Sequence, residues 1–374
     1  MLIKISMNKK KVIFVYSGGR REKLHNNIEA KEFFYCFFNF KEEGYEVNFI
    51  EFTDRKVLKL NFLHLIDRFF NRILSLPFYT HKIMNKKNFR ILRDAADIYF
   101  VNESTFFSSI PFLIYFRIFG YKKNVYLFSM GMFSKNLYFK KLRILHNYFL
   151  KTSIRLIHNI FFLGEGEFSF AKSKFPLSSD KFKFVPFSID TNFWQSSSVD
   201  LSNNNEILFI GNDGNRDYEM LQNIIEQNTH LNFTVITDHP SFKITKTSNF
   251  NHINGSWRES LISDSELKKI YENSRLVILP LKNSLQPSGQ SVCLQAMSLG
   301  IPVIISNTVG FWDKKTFINE KHLIFNFNDT IASWNHLINY YFNNLKVLNN
   351  LSKNSTKLVQ KEFNLDEMYR KIIN

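Results

Sequence analysis

The chain is expected to be an α/β protein built from two parallel-sheet domains in tandem. Short apolar runs of strand length alternate with helical stretches along most of the sequence. A length of 374 residues suggests two domains at about 100–200 residues each. A polar stretch, Gln195-Ser-Ser-Ser-Val199 followed by Asn203-Asn-Asn205, separates two such series and reads as a linker. Tandem domains of this class place a cleft between the carboxyl edges of two sheets, where ligands of open parallel sheets bind.

The first series opens with an apolar strand over Val12 to Tyr16 that ends in Ser17-Gly18-Gly19. A helix is expected from about Glu29 to Glu43, stopped by Gly44, and a strand over Glu46 to Phe52. The basic, aromatic stretch between Lys56 and Arg93 is helical or irregular. Strands follow over Ile98 to Val101, Val125 to Phe128, Ile160 to Leu163 and Phe182 to Pro186. In the second series, strands are expected over Ile207 to Ile210, Phe233 to Thr237, Leu276 to Leu279 and Pro302 to Ile305. The helices between them are Asp217 to Glu226, Ser265 to Asn273 with Ser263-Asp264 as its cap, and Ser291 to Leu299, stopped by Gly300. From about Ile331 the tail keeps helical periodicity to its end.

Composition excludes several classes. High apolar content (44%) and aromatic content (16%) argue against disorder. Two cysteines, Cys36 and Cys293, cannot supply a disulfide scaffold or a cysteine-based zinc site, and both lie in apolar runs suited to a reducing cytosol. No span reaches about 18 uncharged apolar residues; the nearest, Phe106 to Phe116, holds Pro111 and is cut by Arg117. The N-terminus lacks the order of a signal peptide, and Met7 is a candidate start beside Met1. A net charge of +16 favours anionic partners, although 42 Phe with abundant Lys, Asn and Ile also fit an AT-rich coding sequence. No RNA-recognition, zinc or helix-turn-helix signature accompanies the charge, so no nucleic-acid partner is expected.

Three constellations could carry chemistry. In Ser17-Gly18-Gly19-Arg20-Arg21 a glycine pair follows the first strand, letting backbone approach a phosphate at a helix start; an ordinary strand-to-loop turn reads equally well. In Gly211-Asn212-Asp213-Gly214-Asn215-Arg216-Asp217-Tyr218, between a strand and a helix, Arg216 could clamp a diphosphate bidentately; the alternative is a solvated loop arginine. In Pro287-Ser288-Gly289-Gln290-Ser291-Val292-Cys293-Leu294-Gln295-Ala296-Met297 a helix start offers free N–H groups, and Gln295, one turn inside, could bind a ribose or sugar diol; the alternative is a plain helix closed by Gly300.

The third stretch, with Leu299-Gly300-Ile301-Pro302-Val303, resembles the signature of retaining family 4 glycosyltransferases. That pattern has a glutamate, seven residues, a second glutamate, Ala-Met and a Gly-x-Pro-Val turn. Phe162-Leu-Gly-Glu-Gly-Glu167, Phe184-Val-Pro-Phe-Ser-Ile-Asp-Thr-Asn-Phe-Trp194, Ser263-Asp-Ser-Glu-Leu267 with Tyr271, Leu276-Val-Ile-Leu-Pro280, Gly310-Phe-Trp-Asp313 and Phe363-Asn-Leu-Asp366 resemble other segments of the same group, in the same order. The first and second glutamates fall on Pro287 and Gln295, and an arginine-lysine pair falls on Asn212 and Arg216. A histidine common after the fourth strand is replaced near Ser129-Met130.

The resemblance implies two Rossmann-like domains facing across a cleft (the GT-B fold). These are an acceptor-binding domain over 1–190, a nucleotide-sugar-binding domain over 191–355, and a C-terminal helix over 356–374 that crosses back onto the first domain. It implies transfer of a sugar from a nucleotide-sugar donor to an acceptor hydroxyl, retaining and metal-independent, in cell-surface polysaccharide or lipopolysaccharide synthesis. Arg216 would be catalytic; Gly18, Gly19, Gly211, Asn212, Ser288, Gly289, Gln290, Ser291, Val292 and Gln295 would join it in binding the donor. No metal and no cofactor beyond the donor substrate is implied.

The acceptor, a saccharide or a lipid-linked one, would bind the first domain. There Lys140, Arg143, Lys151 and Arg155 gather on one helical face and Tyr138, Leu142, Leu145 and Phe149 on another. With Arg68, Arg72, Lys82, Lys86, Lys87 and Arg90, this is either a basic aromatic surface for an anionic membrane or a core helix with a solvated back. The first reading places the protein in the cytoplasm, peripheral on the inner face of the membrane. Two alternatives share fold and donor: a sugar-nucleotide epimerase, with His25, Glu103, Glu165 or Glu167 as acid and base, and a catalytically silent nucleotide-sugar-binding paralogue, motivated by Pro287 and Gln295.

Overall fold

The computed structural model describes residues 10–25, 28–52, 62–133, 137–196, 199–243, 247–255 and 262–374. Met1 and Met7, the two candidate starts, lie outside them. The chain divides into two compact units: 1–28, 34–163 and 167–185 form the first; 29–33, 164–166 and 186–374 form the second.

In chain order the first part contains β1 (Lys11–Tyr16), α1 (Arg20–His25), α2 (Phe37–Glu42), β2 (Glu46–Glu51), α3 (Phe62–Leu74), α4 (Thr80–Ile83), α5 (Lys86–Asp94), β3 (Asp97–Phe100), α6 (Glu103–Ile118), β4 (Asn124–Ser129), α7 (Arg143–Ile154), β5 (Asn159–Phe162), α8 (Glu165–Lys174) and β6 (Phe182–Phe184). Its six strands pair in parallel in the order β2-β1-β3-β4-β5-β6. Both faces are covered, which is why the central strands read as continuous apolar runs rather than alternating ones. Ile13, Val15, Ile98, Phe100, Val125, Leu127, Ile160 and Phe162 enter one core with Phe106, Phe107 and Leu150. On the other face Phe14, Tyr99 and Tyr126 sit in register and stack as a ladder, with ring centroids 5.0 and 4.4 Å apart. The segment Phe106 to Phe116 lies within α6, mostly buried but with Pro111, Ile114 and Tyr115 exposed, and among the described residues no helix is long and apolar enough to cross a membrane.

The second part contains β7 (Glu206–Ile210), α9 (Tyr218–Gln227), β8 (Asn232–Ile236), β9 (Phe250–Ile253), α10 (Asp264–Glu272), β10 (Ser274–Leu279), α11 (Gln290–Ser298), β11 (Val303–Ser306), β12 (Ile324–Asn326), α12 (Ile331–Phe342), α13 (Leu345–Glu362) and α14 (Leu365–Ile373). Its parallel sheet runs β12-β11-β10-β7-β8-β9. The cap expected at Ser263 is a full capping box: Ser263 accepts from the Glu266 amide, and the Glu266 side chain accepts from the Ser263 amide. Residues 186–374, including the tail helices, all group with this second unit.

Two expectations differ from the structure, and one open alternative is narrowed. The single helix over Glu29 to Glu43 is a 3-10 turn over Glu32–Phe34, then α2. Tyr35 and Cys36 between them have φ of 51° and 64°, and left-handed residues cannot continue a right-handed helix. Of the two readings left open for the stripe Tyr138, Leu142, Leu145, Phe149, the core one fits only Phe149, which is partly buried against the core: α7 buries His146, Leu150, Ser153 and Ile154, and leaves Tyr138 and Leu145 76% and 46% exposed. A tighter 3-10 turn over Lys140–Leu142 precedes α7 and shifts which side chains meet the core. Two edge strands, β9 and β12, were not expected; the first is largely solvent-facing and the second has three residues.

Candidate functional site

The second unit brings two of the three sequence constellations together. β7 and β10 are neighbours in the sheet, so the loops leaving their carboxyl ends lie side by side. They are joined by backbone: Asp217 N donates to Pro280 O (3.0 Å), Lys282 N to Asn215 O (2.8 Å), and Arg216 bridges Leu281. Arg216 is only 3% exposed. Its Nε donates to Ile210 O (3.3 Å) and its Nη1 to Ser288 Oγ (2.6 Å), one residue before the cap of α11. Asp213 completes the group: Oδ2 lies 3.1 Å from Arg216 Nη1, and the Ser288 hydroxyl faces both its oxygens at 3.2 and 3.1 Å.

Two glycines make this geometry feasible. A Cβ on Gly211 would lie 2.3 Å from Arg216 Nε, so the guanidinium passes where any side chain would stand. Gly289 is the cap of α11 with φ +79°, a conformation L side chains rarely adopt. The cap glycine has no side chain to turn back onto the first turn, and the helix start presents the positive end of its dipole there. A buried cation hydrogen-bonded beside a glycine-capped helix start is chemistry suited to a polyanion such as a diphosphate.

Other predicted residues are placed differently. The amide of Asn212 is spent on backbone: Nδ2 donates to Gly255 O and Oδ1 accepts from Asp238 N at 2.8 Å. Gln295 is 4% exposed and turned inward. Its Oε1 accepts from Tyr271 Oη (3.1 Å) and its Nε2 donates to Glu32 Oε1 (2.8 Å). The diol-binding role expected from helical spacing therefore meets a side chain already engaged inside the unit. Pro287 is buried, and a Cβ on Gly164 would meet its ring at 3.1 Å.

In the first unit, Gly18 (φ +153°) and Gly19 (φ +82°) form the turn after β1. The donors at the start of α1 are already taken: Glu51 accepts from the amides of Arg20 (2.6 Å) and Arg21 (3.3 Å). The Arg20 guanidinium folds back onto Gly18 O (2.7 Å) and lies over the Tyr16 ring. A protein carboxylate thus stands where the sequence suggested a phosphate.

The spot after β4 that lacks a histidine holds two carboxyls instead. Glu103 accepts from Met130 N (2.6 Å) and Ser129 Oγ (3.3 Å); Glu167 accepts from Gly131 N (3.0 Å) and Phe133 N (2.9 Å). Burial, and then the neighbouring Glu103, push Glu167 up to about 8. These bonds give both groups a task in holding the loop. Glu165 pairs with Lys315 at 2.7 Å.

Sequence reading missed Glu32. It belongs to the second unit, is fully buried, and its Oε1 accepts from Trp194 Nε1 and Gln295 Nε2, both at 2.8 Å. Its Oε2 is buried without a hydrogen-bond partner. Burial, the largest cause, raises its pKa to about 7 against those stabilising bonds. Glu32 and Gln295 are 263 residues apart, and no local pattern marks the pair. Among the described residues no group of three or more His, Cys, Asp or Glu is placed to hold a metal ion.

No protein-family model matches the chain, and no curated protein matches it by sequence. Solved structures do match over nearly its full length. A glycosyltransferase from Rickettsia africae ESF-5 aligns with TM-score 0.65 at 13% identity, covering 98% of this chain and 97% of that one. Sucrose-phosphate synthase from Thermosynechococcus elongatus gives 0.63 at 11%, covering 98% and 99%. HepE of Anabaena in complex with UDP gives 0.62 at 11%, covering 97% and 98%. At such identities the likeness is one of fold: two six-stranded parallel α/β units of the GT-B type.

Proposed function

We propose that the chain is a glycosyltransferase moving a sugar from a nucleotide-sugar donor to an acceptor hydroxyl. The observation that carries the reading is Arg216, a nearly buried guanidinium hydrogen-bonded to Ser288 beside the glycine-capped start of α11. The fold likeness to glycosyltransferases supports it. Breaking the bond to the anomeric carbon builds negative charge on the departing diphosphate. Donors fixed in place before that charge appears lower the barrier most. Arg216 and the α11 amides would meet the charge, with Asp213 released from Arg216 as phosphate oxygens take its place.

Neighbouring structures contain UDP and UDP-glucose, so UDP-sugars are the first donors to test. The retaining course, independence of a metal, and a place in cell-surface polysaccharide or lipopolysaccharide synthesis follow from the family resemblance and belong to the proposal. So do a saccharide or lipid-linked acceptor and a cytoplasmic location peripheral to the membrane. A C-terminal helix over 356–374 crossing back onto the first domain, and the domain bounds 1–190 and 191–355, stand on the same footing.

The test is turnover of UDP-sugars by purified protein. Arg216→Ala is expected to lower UDP release about a hundredfold or more, as loss of a charge-stabilising donor does, with Arg216→Lys intermediate. Thermal unfolding of both variants separates lost chemistry from lost folding. A rate unchanged in Arg216→Ala overturns the clamp.

A further inference from the structure

The first unit carries an apolar, cation-flanked face outside the donor-site residues. It is built by α3 and by the turn and helix around α7. On α3, Phe62, Leu65, Phe69 and Arg72 recur along one side of the helix, while Asp67 and Leu74 turn inward. Phe62 and Phe69 are 73% and 60% exposed. On α7, Ile144 and Tyr148 stand opposite the buried stripe and are 83% and 66% exposed. The two elements are fastened to each other. His146 Nδ1 meets Leu74 O at 2.5 Å, Tyr138 N donates to Ser75 Oγ at 2.9 Å, and Arg72 lies over the Phe139 ring at 5.7 Å. The exposed side chains at the C-terminal end of α3 and in the turn entering α7 are therefore neighbours, and apolar side chains exposed on adjoining elements mark interaction surfaces.

Charge identifies the partner. Over 62–74 and 137–151 the cations are Arg68, Arg72, Lys140, Lys141, Arg143 and Lys151, all exposed. The acid in these stretches is Asp67, which is buried and held by His81 at 2.6 Å. Two copies laid face to face would oppose these cations with no exposed carboxylate between them. A surface presenting phosphates beside hydrocarbon satisfies both halves of the patch. We propose that this face docks on an anionic lipid bilayer, with Phe62, Phe69, Ile144 and Tyr148 entering the headgroup–acyl boundary and the cations meeting lipid phosphates. The inference deepens the peripheral-membrane part of the proposed function and does not depend on sugar transfer.

Flotation of the full chain, without donor, on vesicles of phosphatidylcholine alone and mixed with phosphatidylglycerol tests it. The full chain is expected to float with the mixed vesicles, to stay down with neutral ones, and to be released by high salt. The double variant Phe69→Glu, Ile144→Glu is expected to cut bound protein about tenfold or more, with unfolding temperature and lipid-free UDP-sugar turnover unchanged. Absence of flotation, equal flotation on both vesicles, or full binding by the double variant overturns the proposal. So does a lipid-free dimer that the double variant abolishes, which would assign the face to a second copy. The lipid-free turnover assay reads the transfer reaction separately, so failure of either claim leaves the other measurable.

Discussion

At the scale of single residues the proposed donor site depends on a missing side chain. Gly211→Ala places a Cβ where Arg216 Nε now lies. Overpacking of that kind costs roughly 1–3 kcal/mol. The variant is expected to unfold earlier and to lose donor turnover together, which thermal denaturation with the UDP-release assay checks. The Glu32–Gln295 pair makes a second, signed prediction. Gln295→Glu would set two carboxyls 2.8 Å apart in a buried place, destabilising the fold by a few kcal/mol. Adding Glu32→Gln restores one acid and one amide and should return most of the loss. Chemical denaturation of the two single variants and the double checks this; a double variant no better than Gln295→Glu alone would contradict the pairing.

The same carboxyl gives a pH dependence. Glu32 binds its proton more tightly folded than unfolded, because burial raises it from 4.5 to about 7. Its contribution is fully present below about pH 4.5 and is lost as pH rises through 7. Stability is expected to fall across that window by up to about 1.4 kcal/mol per pH unit. Glu167 extends the fall toward 8. Denaturation midpoints from pH 5 to 9 should decline in the native chain and decline less in Glu32→Gln, where the Glu167 part remains; parallel curves would refute the assignment.

At the scale of elements, much was legible and the failures have physical causes. The strands of both sheets appear as apolar runs because a parallel sheet covered on both faces needs no alternation. The cap at Ser263, the helix after Gly289 and the stop at Gly300 follow from local chemistry and stand where the residues indicate. At α7 periodicity left open whether Tyr138 and Leu145 face core or surface, and behind a three-residue 3-10 turn both lie outside. Periodicity failed at Tyr35 and Cys36, whose left-handed backbone is not a property of those residue types. The α11 start could be read as an anion site, but not that Asp213 would sit on its arginine. Asp213 is 45% exposed and competes with any incoming phosphate. Asp213→Asn is therefore expected to tighten UDP binding several-fold, measured by calorimetry, since Ile210 O and Ser288 still hold Arg216. Weaker binding would mean that Asp213 orients the arginine instead.

At the scale of the whole molecule, the +16 charge divides between uses that composition cannot separate. Some cations are structural, as Arg20 and Arg275 are when their guanidinium groups donate to backbone carbonyls. Others are exposed on α3 and α7, and Arg216 is buried at the proposed donor site. The central claim is that this one buried guanidinium, beside the α11 start, receives the donor's diphosphate. Titration of UDP into the native chain and into Arg216→Ala, each first shown to be folded, tests it most directly. The account predicts binding to the native chain that weakens at least about tenfold in the variant, the loss of a charged hydrogen bond being worth about 1.5–3 kcal/mol. Equal affinity in the two proteins would contradict it.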